Sequence, residues 1–140
     1  MSEKRNTPEI TRKERDCIMR IVEMTNDSFP VRLCDLSRAM DVKPPSAFEL
    51  VNRLSKKGMV RAKNGMIYLT DDGRRTYDRI KFTHRALESL LVKGGISADT
   101  ACREIETFDY IVERKTALAI LKTIGNPSEC PHGLPIRSRE

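Results

Sequence analysis

The sequence predicts a mainly α-helical protein that opens with a winged helix-turn-helix (three helices plus a two-stranded wing) and continues as further helices. Three observations carry this. Apolar residues recur at helical spacing in three short segments separated by turn signals. Asn64-Gly65 lies between two short β-prone runs, which is a strong hairpin signal. The excess positive charge is confined to the first part. Residues 1–82 hold 18 Lys/Arg against 12 Asp/Glu, whereas residues 83–140 hold 8 against 8, so the whole net charge of +6 falls in the former.

The elements follow in order. Residues 1–10 are polar and expected to fray. A first helix is expected over 12–25, with Ile18, Ile21, Val22 and Met24 on one face, broken by Asn26-Asp27-Ser28. Pro30 imposes an extended entry to a short second helix over Arg32–Met40, where Leu33, Leu36 and Met40 share a side. Asp41–Pro45 is a tight turn. Proline suits the first turn of a third helix, which is expected to turn Phe48, Val51 and Leu54 inward and to end at Gly58. Met59–Ala62 and Met66–Thr70 form the wing. Asp71 or Asp72 is expected to cap a helix running to Lys93, and Gly94-Gly95 stops it. Ser97 caps a helix over 98–107, a last helix covers 110–123, and 126–140 reads as a loop-like tail. The division expected is 1–75 for the winged helix-turn-helix and 76–140 for a second, helical domain.

A basic module joined to a neutral one points to a polyanion for the first and another task for the second. On the third helix Lys43, Pro45, Ser46, Glu49, Asn52 and Arg53 fall outward. Ser46 can donate to a phosphate or a base edge. Arg53, Lys56 and Lys57 suit phosphates, and Lys63 and Asn64 tip the wing. Glu49 repels phosphate but can accept from cytosine. Singly, each is also an ordinary exposed residue; with the fold pattern and the charge split they point to duplex DNA. Nothing suggests an enzyme: no nucleophile–base pair, phosphate-cradling glycine loop or paired catalytic carboxylates stand out. Cys17, Cys34, Cys102 and Cys130 form no Cys-x-x-Cys pair, residues 1–15 are too polar for a signal peptide, and no apolar run approaches ~18 residues. A reducing cytoplasm and no membrane are expected.

His84 and Glu88 are four apart on an expected helix, as are Cys102 and Glu106, so each pair shares a face. Imidazole, carboxylate and thiolate can together hold Fe²⁺, Mn²⁺, Co²⁺, Ni²⁺ or Zn²⁺. Read alone, the first pair is equally a surface pair and Cys102 a small core residue. Cys130 and His132 are separated by one residue and read as a structural tail rather than a zinc pair.

At this point the sequence resembles the diphtheria-toxin-repressor and manganese-transport-regulator family of metal-dependent repressors. The resemblance runs from about residue 12 to residue 136. It rests on Val31–Leu36, Val42–Ser46, Leu54–Val60 and Ile67–Gly73, and more specifically on His84–Leu91, Ala101–Arg103, Val112–Arg114 and Asn126–Ile136 with its Cys-Pro-His-Gly. It implies a homodimer reading an inverted-repeat operator, with the second domain both binding metal and dimerising. It implies that Fe²⁺ or Mn²⁺ favours the DNA-competent state and that metal homeostasis genes are repressed. His84 and Glu88 match one family site, Cys102 a ligand of the other, and Cys17 or Asp16 the place of a first-helix ligand. The family's Glu-His on the ligand helix is absent: the match gives Ile105-Glu106 or, shifted by one, Glu106-Thr107, and the register of Asp99 is open. A thiolate favours Fe²⁺ over Mn²⁺. The alternative is a metal-independent or thiol-redox-responsive winged-helix regulator.

Overall fold

The computed structural model describes residues 9–25 and 30–136. The expected break at Asn26-Asp27-Ser28 and the expected frayed start before residue 9 lie outside the described residues. The chain is mainly helical: α1 (Arg12–Met24), β1 (Val31–Arg32), α2 (Leu33–Ala39), α3 (Pro44–Lys56), β2 (Val60–Lys63), β3 (Met66–Leu69), α4 (Asp71–Lys93), α5 (Ala98–Ile105) and α6 (Arg114–Thr123). It divides into two compact units at Tyr77/Asp78, within α4.

In the first unit, α3 packs against α1, α2 and β2. Ile18 and Ile21 of α1, Leu36 of α2, Leu54 of α3, Met59 and Ile67 are almost completely buried. Thr11 caps α1 through a reciprocal capping box with Glu14, which satisfies two N-terminal donors. The wing turns at Asn64 (φ 53°) and Gly65 (φ 74°), the left-handed pair that a two-residue hairpin requires.

Three local expectations are corrected, and the expected two-stranded wing is joined by a third short strand: Val31 and Arg32 pair antiparallel with Ile67 and Met66 in the order β1-β3-β2. A two-residue strand is too short to show period-2 patterning. The buried stripe of α3 is Ala47, Leu50, Val51 and Leu54, at i, i+3, i+4 and i+7, and it turns Phe48 outward at 60% exposure. The cap of α4 is Thr70, whose hydroxyl accepts from the Gly73 N–H at 3.1 Å, while Asp71 and Asp72 occupy the first turn. Lys57 does not face outward for phosphate. Its Nζ donates to both carboxylate oxygens of buried Glu14 at 2.8 and 3.0 Å and to the Glu9 carbonyl at 2.7 Å.

Burial pushes the Glu14 carboxyl upward, but the hydrogen bonds from Lys57 and Thr11 outweigh it and hold the group below its ordinary range. A depressed carboxyl stabilises the fold above the unfolded-state pKa and loses that contribution as pH falls through the folded value. Lys57→Met should therefore cost about 1–3 kcal/mol at pH 7, because it leaves a buried carboxylate without its cation. The gap in melting temperature between wild type and variant should shrink as pH falls below the ordinary carboxylate range. A gap independent of pH would remove this pair as its source.

In the second unit, Phe82 and Ala86 of α4, Ala117 and Leu121 of α6, and Cys130 and Ile136 of the tail form one cluster. Leu87, Ala101 and Ile105 form another, flanked by Leu91, Phe108, Val112 and Ile120. The tail is thus part of the core. It closes on itself through Cys130 N–H to Leu134 O (2.8 Å) and Ile136 N–H to Ser128 O (3.0 Å), and Arg85 donates to the Pro135 carbonyl at 2.7 Å. The last helix begins at Arg114 rather than 110. Extended Glu113 precedes it, and Asp109, in the turns between α5 and α6, is a fully buried carboxylate held by a side-chain partner.

Candidate metal centre and DNA-reading face

Two turns of α4 place His84 and Glu88 on one face, both buried. The α5 helix brings Cys102 to them. His84 Nε2 lies 3.3 Å from Cys102 Sγ and 3.4 Å from Glu88 Oε2. The other ring nitrogen, Nδ1, is 2.9 Å from the Asp109 carboxylate. With Nδ1–H donating to that carboxylate, Nε2 carries the ring's lone pair on the side of the thiol and Glu88. This is the arrangement of a histidine prepared for a metal.

Glu88 faces two ways. Its second oxygen, Oε1, is 2.5 Å from His132 Nδ1 in the tail, and His132 Nε2 is 3.4 Å from Asp99 at the start of α5. The donor atoms of His84, Glu88 and Cys102 lie within 4.8 Å of one another, and so do those of Glu88, Cys130 and His132. One buried carboxylate is therefore common to two groups of nitrogen, sulfur and oxygen donors. Such a mixed set fits a divalent transition metal, and the prepared Nε2 is the feature that ordinary core packing does not require. The hydrogen bond to Asp99, then the charge and hydrogen bond of Glu88, raise the His132 pKa. A metal ion there competes with a proton.

The other expected ligands are placed differently. Glu106 is the C-cap of α5, half-buried, and belongs to neither group. Asp16 and Cys17 lie on α1 in the first unit. Asp16 is half-exposed and pairs with Arg15 at 3.0 Å. Cys17 is completely buried, and burial, followed by the charges of Glu14 and Asp16, pushes its thiol up to about 12. Of these two, the carboxylate has the readier donor chemistry. Sequence reasoning assigned no ligand role to Cys130, His132 or Asp109. The residue types at 130 and 132 were the available signal; their partner Glu88 lies 44 residues from His132, a separation no local spacing reveals.

On α3, Lys43, Pro45, Ser46, Glu49, Asn52 and Lys56 are exposed. Arg53 is half-buried, with its guanidinium 3.7 Å from Glu49. Lys63 and Asn64 are exposed at the wing turn.

Residues 10–65 match the family model described as the iron-dependent repressor N-terminal DNA-binding domain, and residues 70–138 the one described as the iron-dependent repressor metal-binding and dimerisation domain. The chain belongs to the iron-dependent repressor family. A curated relative in Aeropyrum pernix, an uncharacterised HTH-type transcriptional regulator, is 29% identical over 75% of this chain and 59% of its own length. The HTH-type transcriptional regulator MntR of Geobacillus kaustophilus is 28% identical over 68% of each chain. This chain thus spans about three fifths of the Aeropyrum relative. A solved structure of a hypothetical protein from Sulfolobus solfataricus is 30% identical with a TM-score of 0.82, covering 92% of this chain and all of that one. The matched family is one of metal-dependent transcriptional regulators, not enzymes. No helix among the described residues is long and apolar enough to cross a membrane.

Proposed function

We propose that this chain is a cytoplasmic, Fe²⁺-activated transcriptional repressor of metal-homeostasis genes that binds an inverted-repeat operator as a homodimer. The observation that carries the metal reading is the convergence on Glu88 of two donor groups, His84–Cys102 and Cys130–His132. Two soft sulfur donors among imidazole and carboxylate favour Fe²⁺ over Mn²⁺. Free cysteines agree with a reducing compartment. The domain boundary proposed lies close to residue 75. A bound metal supplies positive charge that draws these side chains together. The chain's own contribution is a prepared imidazole, a shared carboxylate, and an α3 helix whose exposed side carries the DNA-reading residues.

A metal acts as a switch only by binding one state better than another. A preference of ~100-fold is about 2.7 kcal/mol and changes operator occupancy visibly. The test is operator affinity of the full chain, measured anaerobically with and without Fe²⁺ or Co²⁺. Tightening with metal is expected, and His84→Ala and Cys102→Ala should each reduce it while the protein remains folded. Unchanged affinity at saturating metal would leave a metal-independent regulator in its place.

A further inference from the structure

We infer that Phe48 is a sequence-reading residue of α3 that recognises the 5-methyl group of a thymine in the major groove. The inference rests on the DNA-binding reading above and adds to it the chemistry of one base contact. Every other large apolar side chain of α3 (Leu50, Val51 and Leu54) is buried, so the core is complete without Phe48. A phenyl ring nonetheless stands 60% exposed at the fifth position of the helix. That is its N-terminal half, the part of such a helix that meets base edges. An apolar side chain there has one partner in the groove, the thymine methyl.

The neighbours support the same reading. Pro45, three residues before, and Asn52, four after, share its side of the helix, and both are exposed. The amide of Asn52 has the geometry to pair with adenine, so the stripe suits adjacent A·T pairs. Exposed Lys43 and Lys56 at the two ends of the helix, with Lys63 on the wing, supply attraction for the flanking phosphates. Adjacent Glu49 has its charge offset by Arg53. A single ring set among polar groups does not make the contiguous apolar patch that a protein partner needs.

The experiment uses the full chain with Co²⁺ to select duplexes from a random-sequence DNA pool. Each thymine of a selected duplex is then replaced by deoxyuridine, which removes only the methyl. Wild type should lose about fourfold in affinity at one position of each half-site, the worth of one buried carbon. Phe48→Ala should bind more weakly and no longer distinguish thymine from uracil there. Phe48→Leu should retain the distinction, and all three proteins should melt alike because the ring lies outside the core. Equal discrimination by wild type and Phe48→Ala, insensitivity of every thymine to replacement, or a change in sedimentation in place of base discrimination would each overturn the inference. Failure of wild type to select any duplex would instead overturn the DNA-binding reading on which it rests.

Discussion

Glu88→Gln is expected to weaken metal binding at both donor groups at once, by more than about 100-fold, whereas any other single ligand change should affect one group. The expectation follows from the two oxygens of one buried carboxylate, Oε2 beside His84 and Oε1 beside His132. Glutamine keeps the volume and one acceptor but brings an NH₂ to one of the two clusters and removes the charge that offsets a cation. The measurement is anaerobic Co²⁺ titration followed by the thiolate-to-cobalt charge-transfer band, with stoichiometry from calorimetry and the two components told apart by variants confined to one group. His132→Ala and Cys130→Ser should remove only the component they share. Asp109→Leu provides a finer control. It touches His84 through Nδ1 and should lower affinity only in the His84–Cys102 component, by roughly 10–100-fold, through loss of ring orientation. If Glu88→Gln left one component intact, the carboxylate would not be common to the two, and the paired centre would reduce to a single site with a structural tail beside it.

The local rules carried the fold well where the signal was dense in sequence. Asn64-Gly65, the Ser97 cap, and the run from Asp71 to the Gly94-Gly95 stop place their elements within a residue or two. The errors have specific causes. The stripe Phe48, Val51, Leu54 differs from the real one by a small rotation about the helix axis, because three apolar residues at i, i+3 and i+6 do not define a face as narrowly as the four at i, i+3, i+4 and i+7. Residues 110–113 are rich enough in apolar side chains to pass as helix, yet neighbouring Asp109 is drawn into the interior by His84, a contact between residues 25 apart. The centre divides in the same way. His84, Glu88 and Cys102 were visible as helix-face donors. Cys130 and His132 become ligand candidates only because Ile136 and Cys130 anchor the tail in the core, and nothing in a proline-rich segment announces that.

Gly73→Ala should destabilise the first unit by about 3 kcal/mol or more, although alanine is the better helix former by up to about 1 kcal/mol. Gly73 sits in the first turn of α4 with an ordinary helical backbone, so the argument is about space rather than φ. A Cβ there would lie 2.1 Å from the Met59 carbonyl oxygen and 3.1 Å from its carbon, with Leu69 Cδ1 at 2.8 Å. The leucine methyl can rotate away. The carbonyl cannot, because it accepts the Thr70 N–H at 3.1 Å. The Thr70 hydroxyl further donates to Gly58 O at 2.6 Å and accepts from the Gly73 N–H itself. Relieving the overlap therefore moves the start of α4 away from the 58–59 backbone and breaks the cap that joins them. The strand β2 begins at the next residue, Val60, so the strain reaches the wing directly. Urea unfolding of wild type, Gly73→Ala and Arg75→Ala checks this. Arg75 lies two residues along, on the exposed side, and its replacement should cost within about 0.5 kcal/mol. A Gly73→Ala protein as stable as wild type would show that α4 can shift without losing the Thr70 cap, and the close approach to Met59 would then not be what requires glycine at this position.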